Sequence, residues 1–149
     1  MALPHYASKR PSADYFNSNL MLHNYVTADI SDSKNYNVLY DERDPGKGAD
    51  ALCSLRLRYH LQKREQYANS LKKPTVSLSI VDNCVGQNKS NNQMQFAALL
   101  SILFYSRVVL LFLIPGHSHM LPDRVVVWMR AAIQGLNLYH PEDIAAACT

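Results

Sequence analysis

Asp82, Asp123 and the histidines just before Asp123 are the side chains whose types and spacing could do chemistry. Asp82 closes the run Thr75-Val76-Ser77-Leu78-Ser79-Ile80-Val81, and Asp123 follows the loop Pro115-Gly116-His117-Ser118-His119. In the first run Val76, Leu78 and Ile80 alternate with Ser77 and Ser79, the period of a strand with one well-buried face. An acid at the carboxyl end of such a strand, followed by a turn, sits where open α/β sheets expose their functional edge. His117 and His119 could join Asp123 as zinc ligands, although two histidines and one acid in a loop are weak support for such a site.

The elements that must position these groups form one β-α-β unit. A strand over 76–82 gives way to a polar turn rich in Asn and Gly, and Ser90 or Asn91 can cap the helix that follows over 91–105. Phe96, Leu99, Leu100 and Leu103 have the spacing of its buried face. The continuous apolar run 108–114 reads as a central parallel strand covered on both faces, and Pro115-Gly116 stops it. Parallel pairing through the helix would bring Asp82 and the 116–123 loop to one sheet edge.

A rival reading makes 96–114 a single membrane-spanning helix, since 19 residues are about what a bilayer needs. Arg107 inside it would cost roughly 2.5–3.5 kcal/mol at mid-membrane. The change of composition at Ser106-Arg107 also suggests two elements, so membrane insertion is the lesser alternative.

A chain of 149 residues can bury a real core as one domain, and 48% hydrophobic with 18% charged residues argues against disorder. The net charge of +3 is mild. Its distribution is not, because 43–73 holds eight basic residues (Arg43, Lys47, Arg56, Arg58, Lys63, Arg64, Lys72, Lys73) against three acids. Such a face suits a phosphate backbone, although a solvated helix face has the same composition. Cys53, Cys84 and Cys148 are odd in number and lack metal-ligand spacing, which favours a reducing, intracellular compartment with Cys53 and Cys84 as small core residues. No secretory leader is apparent at residues 1–6.

In order, 1–19 reads as a loop-rich lead-in, and 20–149 as a single domain. Strands over 20–30 and 36–40 flank a turn and predict a hairpin. Gly46-Lys47-Gly48 lacks the spacing of a phosphate loop. A helix over 49–68 carries Leu52, Leu55 and Tyr59 on one stripe and Arg56, Lys63 and Arg64 on its polar side. Pro122 and Gly135 frame a helix over 122–134, with Val125-Val126-Val127 leaving a strand open as an alternative. Trp128 reads as a core or interface aromatic, and His140-Pro141-Glu142-Asp143 opens a short terminal helix. The order is β-β-α-β-α-β-α-α.

Several phrases together resemble a transposon-derived domain of unknown function related to the ribonuclease H-like integrases and transposases. They are Leu39-Tyr40-Asp41-Glu42, Gly46-Lys47-Gly48-Ala49-Asp50, Cys53-Ser54, Val81-Asp82-Asn83-Cys84-Val85-Gly86-Gln87-Asn88-Lys89, Pro115-Gly116-His117-Ser118 and Pro122-Asp123-Arg124. The Asp82 to Lys89 phrase is the strongest match, and the likeness spans roughly 3–143.

The resemblance implies an α/β fold, a ribonuclease H-like mixed sheet with flanking helices. It implies a magnesium site holding divalent ions on Asp82 and Asp123 for phosphodiester hydrolysis or strand transfer on DNA, with His117 nearby as an orienting or proton-handling group. Lys47, Arg56, Lys63, Arg64, Lys89 and Arg124 would meet nucleic acid, and the location would be intracellular and nuclear. The pattern departs from the family in three places: the first acid-bearing strand is lacking, Ala51 stands where a glutamate is usual, and Val125 to Met129 replace a Phe-Gly-containing phrase. Two-metal catalysis would then lack ligands unless Glu42, Asp50 or a partner chain supplied them. These departures predict a truncated domain that has lost catalysis and keeps a nucleic-acid or protein interaction role. A sheet without its central strand also predicts self-association through an exposed edge.

Overall fold

Alternating apolar residues in two neighbouring runs build the hairpin that the sequence predicts. A computed structural model describes residues 1–14, 16–44, 48–70, 74–114 and 120–148. These form two compact units, one of Met1–Asp44 with His119–Thr149 and one of Pro45–Ser118. The described residues are mixed α/β, with four α-helices, a short 3-10 turn, an antiparallel sheet and a parallel sheet.

In the first unit β1 (Ala2–Leu3), β2 (Leu20–Asp29) and β3 (Lys34–Asp41) lie in the order β1-β2-β3, all antiparallel. The Asp29 carboxylate closes the hairpin turn by accepting the Ser31 and Asp32 N–H groups at 3.0 and 3.3 Å, while Ser33 takes φ 52°. Cross-strand pairing sets Leu22 opposite Asp41 and Asn24 opposite Leu39 on one face, and His23 opposite Tyr40 on the other.

Helices α3 (Leu121–Ile133) and α4 (Pro141–Ala147) complete this unit. Both start as predicted, with proline in the first turn. Gly135 adopts φ +85° just beyond α3, the left-handed geometry that lets the chain leave the helix. The strand alternative for Val125-Val126-Val127 is thereby overturned, because the proline and glycine outweigh β-branching. The core gathers Leu3, Leu22, Ile133, Leu138 and Ile144, with Leu20, Leu39, Met129 and Ala147 packed on it. Leu3 is only 2% exposed, so the lead-in, although mostly loop, is tied into the core. An N–H···O bond of 2.8 Å in each direction joins His5 to Leu138.

The second unit contains α1 (Ala49–Gln66), β4 (Val76–Val81), α2 (Asn91–Leu103) and β5 (Arg107–Phe112). Strands β4 and β5 pair in parallel, with Val76 level with Arg107 and Val81 with Phe112. The Ser90 hydroxyl accepts the Gln93 N–H at 3.3 Å and caps α2. The single-helix reading of 96–114 fails here: a helix, a turn at 104–106 and a strand occupy it. Among the described residues no helix is long and apolar enough to cross a membrane.

Burial in this unit differs from the periodicity. Val76, Leu78 and Ile80 are 51, 59 and 45% exposed, so the expected buried face of β4 is the open one. Among the described residues β5 pairs with β4 alone, and Leu111 and Ile114 are exposed, which corrects the reading of a central strand covered on both sides. On α2, Phe96 and Leu100 are buried as expected, but Leu99 and Leu103 are exposed and Gln93 is buried instead. On α1 the buried residues are His60 and Lys63, whereas Leu52, Leu55 and Tyr59 are half-buried. Leucines occur around much of α1, so apolar spacing alone does not select a face; the packing of His60 against α2 does.

Candidate functional site

Asp82 stands immediately after β4, exposed at the carboxyl end of the parallel pair. Its backbone leaves the strand for the turn 83–90, and its Oδ1 accepts hydrogen bonds from the Cys84 N–H at 3.3 Å and from the Asn88 side-chain amide. The buried Asn88 also accepts from Arg56 Nη2 at 2.7 Å through its Oδ1. A chain of side chains thus ties the β4 edge to the middle of α1. Sequence reasoning quoted Asn88 within its strongest phrase yet missed this bridging; its place in an Asn- and Gly-rich turn was the available signal. Beside Asp82, the Asn83 Oδ1 is buried without a hydrogen-bond partner.

Asp123 belongs to the other unit. Its carboxylate accepts the Met120 N–H at 2.8 Å, so the acid closes the first turn of α3. His117, with the rest of the 115–119 loop, lies outside the described residues, and so does Lys47. The Asp50 carboxylate accepts from the Asn92 amide. Among the described residues no group of three or more His, Cys, Asp or Glu side chains is gathered as a metal would require. Hard divalent cations take six or more oxygens, and two-cation chemistry needs clustered carboxylates. The single carboxylate of Asp82 does not fit a two-magnesium centre by itself, and no metal-holding group of side chains surrounds it among the described residues.

The basic residues separate by environment. Arg64 is exposed with its guanidinium 5.4 Å from the Phe104 ring centre, and exposed Lys89 holds its ammonium 5.2 Å from that of Phe112. Arg58 and Arg124 are exposed as well. Arg56 is half-buried against Asn88, and Lys63 is buried with its ammonium 5.1 Å from the Tyr67 ring centre. Lys63 therefore leaves the exposed polar side of α1, because an aromatic face takes its charge and the long stem packs. Of the thiols, Cys53 is half-buried and Cys84 and Cys148 are exposed, all free; Cys84 is thus no core residue. Trp128 is exposed.

One strongly perturbed group is one the motifs did not flag. His60 is buried on α1 with its Nδ1 2.8 Å from the Tyr105 hydroxyl and its ring among Tyr59, Phe96 and Phe104. Burial, with the Arg56 charge adding to it, pushes its pKa down to about 4. In the first unit the Arg43 fork, 2.5 Å away at its closest, holds the Asp41 carboxyl below its ordinary range. These arrangements define a mixed α/β chain with an acid at a parallel strand end, linked through Asn88 to Arg56. No protein-family model, no curated protein and no solved structure matches it.

Proposed function

We propose that this chain is a transposon-derived, ribonuclease H-like domain, ancestrally a metal-dependent phosphodiester enzyme, that now binds nucleic acid without cleaving it. The observation that carries the reading is Asp82 at the carboxyl end of a parallel β-α-β unit that follows an antiparallel hairpin and a helix. That order of pairings is compatible with a mixed sheet. Among the described residues β4 and β5 pair only with each other, and their outer edges would admit pairing with another chain. Loss of catalysis is favoured because Asp82 Oδ1 is committed to Cys84 and Asn88, and Asp123 to the start of α3. Binding rests on exposed Arg58, Arg64 and Lys89 in one unit and Arg124 in the other, which can neutralise phosphates without a metal. A nuclear, DNA-associated location follows from the same reading.

Fluorescence anisotropy with a labelled DNA duplex at increasing KCl tests it, alongside a supercoiled-plasmid assay with magnesium. The expected result is affinity that falls steeply with salt and no nicking. Replacing Arg64 and Lys89 together by alanine should reduce the log–log slope by about 2, roughly 0.9 for each phosphate that is no longer neutralised. Absence of salt-dependent binding overturns the binding role. Magnesium-dependent nicking that Asp82→Asn abolishes overturns the loss of catalysis.

A further inference from the structure

A cleft of about 500 Å³ opens within the unit built by the hairpin, α3 and α4. Its apolar wall is formed by Leu22 and Leu39 on the hairpin and Val126 and Met129 on α3. That volume lies within the range of small-molecule sites, which combine apolar walls with a few converging polar groups. Asn24 and Arg130 supply such groups here.

Asn24 shares the hairpin face of Leu22 and turns toward α3, where its Nδ2 lies 3.0 Å from the Met129 sulfur. A thioether is a weak acceptor. The Asn24 Oδ1 is buried and has no hydrogen-bond partner. Whichever way the amide is turned, one of its polar ends lacks a strong partner, and buried amides are ordinarily satisfied. Arg130, in the last turn of α3 and next to Met129, is exposed with no ion-pair partner among the described residues. A cleft with apolar walls, an amide oxygen in need of a donor and an unpaired guanidinium calls for a ligand that carries all three complements.

We infer that this cleft binds a small aromatic carboxylate that also bears an N–H or O–H donor. The ring would lie on Leu22, Leu39, Val126 and Met129, the donor would meet the Asn24 amide oxygen after a rotation about its terminal torsion, and the carboxylate would pair with Arg130. Lysine would be a poor substitute there, because the guanidinium fork matches both carboxylate oxygens. The site uses none of the residues assigned to nucleic acid, so it stands or falls independently of that role.

Titration calorimetry of the whole chain with indole-3-acetate tests the assignment, with indole and 1-methylindole-3-acetate as comparators. Binding of indole-3-acetate is expected, with about tenfold weaker binding for each comparator, or about 1.4 kcal/mol apiece. Arg130→Gln should erase the advantage over indole, and Asn24→Leu the advantage over the N-methyl compound. Thermal melting should show Asn24→Leu at least as stable as the parent, because it removes an unsatisfied buried amide; were it not to fold, the N-methyl comparator still reports on the same hydrogen bond. No binding at millimolar indole-3-acetate, equal binding of indole, or affinity unchanged in both variants would each overturn the inference.

Discussion

The two units bury different proportions of apolar and polar side chains. Among the described residues the first adds only the hydrogen-bonded Asp29 and Asp41 to its apolar residues, and the second hides more polar groups than apolar ones. The unit of hairpin, α3 and α4 hides Leu3, Leu22, Ile133, Leu138 and Ile144 together. The unit of α1, β4, α2 and β5 hides His60, Lys63, Asn88 and Gln93 beside Phe96 and Leu100, and leaves Val76, Leu78 and Ile80 open. The difference lies in layering. A hairpin face with a helix laid on it closes one apolar interior, whereas parallel strands are stably buried only when both faces are covered. In the second unit specific hydrogen bonds take over part of what apolar packing does in the first: Asn88 to Asp82 and Arg56, and His60 to Tyr105. Such bonds fix geometry well, yet each adds little net stability.

The contrast breaks most visibly at Leu3. Its near-complete burial in the first core predicts that Leu3→Ala costs about 2–5 kcal/mol, from forfeited transfer energy plus a cavity. Urea denaturation followed by hydrogen exchange should place that loss in the hairpin, α3 and α4, leaving α1 and α2 protection unchanged. A loss spread evenly over both units would show them folding as one cooperative body.

Acid should act on the other unit. His60 titrates near 4 in the folded chain, below its ordinary 6.5, so the neutral form is the one the fold accommodates. Its contribution is complete above about pH 6.5 and is lost as pH falls from there through 4. The fall from 6.5 to about 4 corresponds to about 3 kcal/mol at most. Melting monitored at α1 and α2 should follow that slope, and His60→Phe should flatten it. An unchanged slope in that variant would assign the acid sensitivity to other groups. The Asp41–Arg43 pair, in the first unit, makes the control: Arg43 and its backbone N–H hold the Asp41 carboxyl low, so its stabilisation fades only at still lower pH.

What the sequence made legible follows from the same contrast. The element order from β2 onward, the hairpin, the parallel β-α-β unit and the proline- and glycine-framed α3 could be read because turn residues and alternation act locally, whereas the two-residue β1 in the lead-in could not. Burial could not be read where it depends on what lies across the sheet. Val76, Leu78 and Ile80 have the alternation of a buried face, but alternation reports only that a face exists. Lys63 reads as solvent-facing by type, and its placing over the Tyr67 ring depends on the folded packing. The candidate site divides similarly: Asp82 at a strand end was legible from the run that precedes it, whereas its engagement by Asn88 depends on how the turn 83–90 folds back.

The open face of β4 gives the smallest effect and the sharpest test of the comparison. Leu78 sits in mid-strand, level with Val109, and is more exposed than either apolar neighbour on its strand. Threonine brings the β-branching that a strand favours while removing most of the apolar surface. If that surface faces water, Leu78→Thr should change stability by no more than about 0.5 kcal/mol, as substitutions away from packed features do. Solubility should rise at the same time, since an uncharged strand with a bare apolar face and an unpaired edge favours strand-to-strand association. Chemical denaturation gives the first quantity and light scattering at high concentration the second. A destabilisation above about 2 kcal/mol would mean that the face is covered in solution, because only buried leucines lose that much when truncated. The two units would then share one rule of burial, with the β4 face covered like the hairpin's.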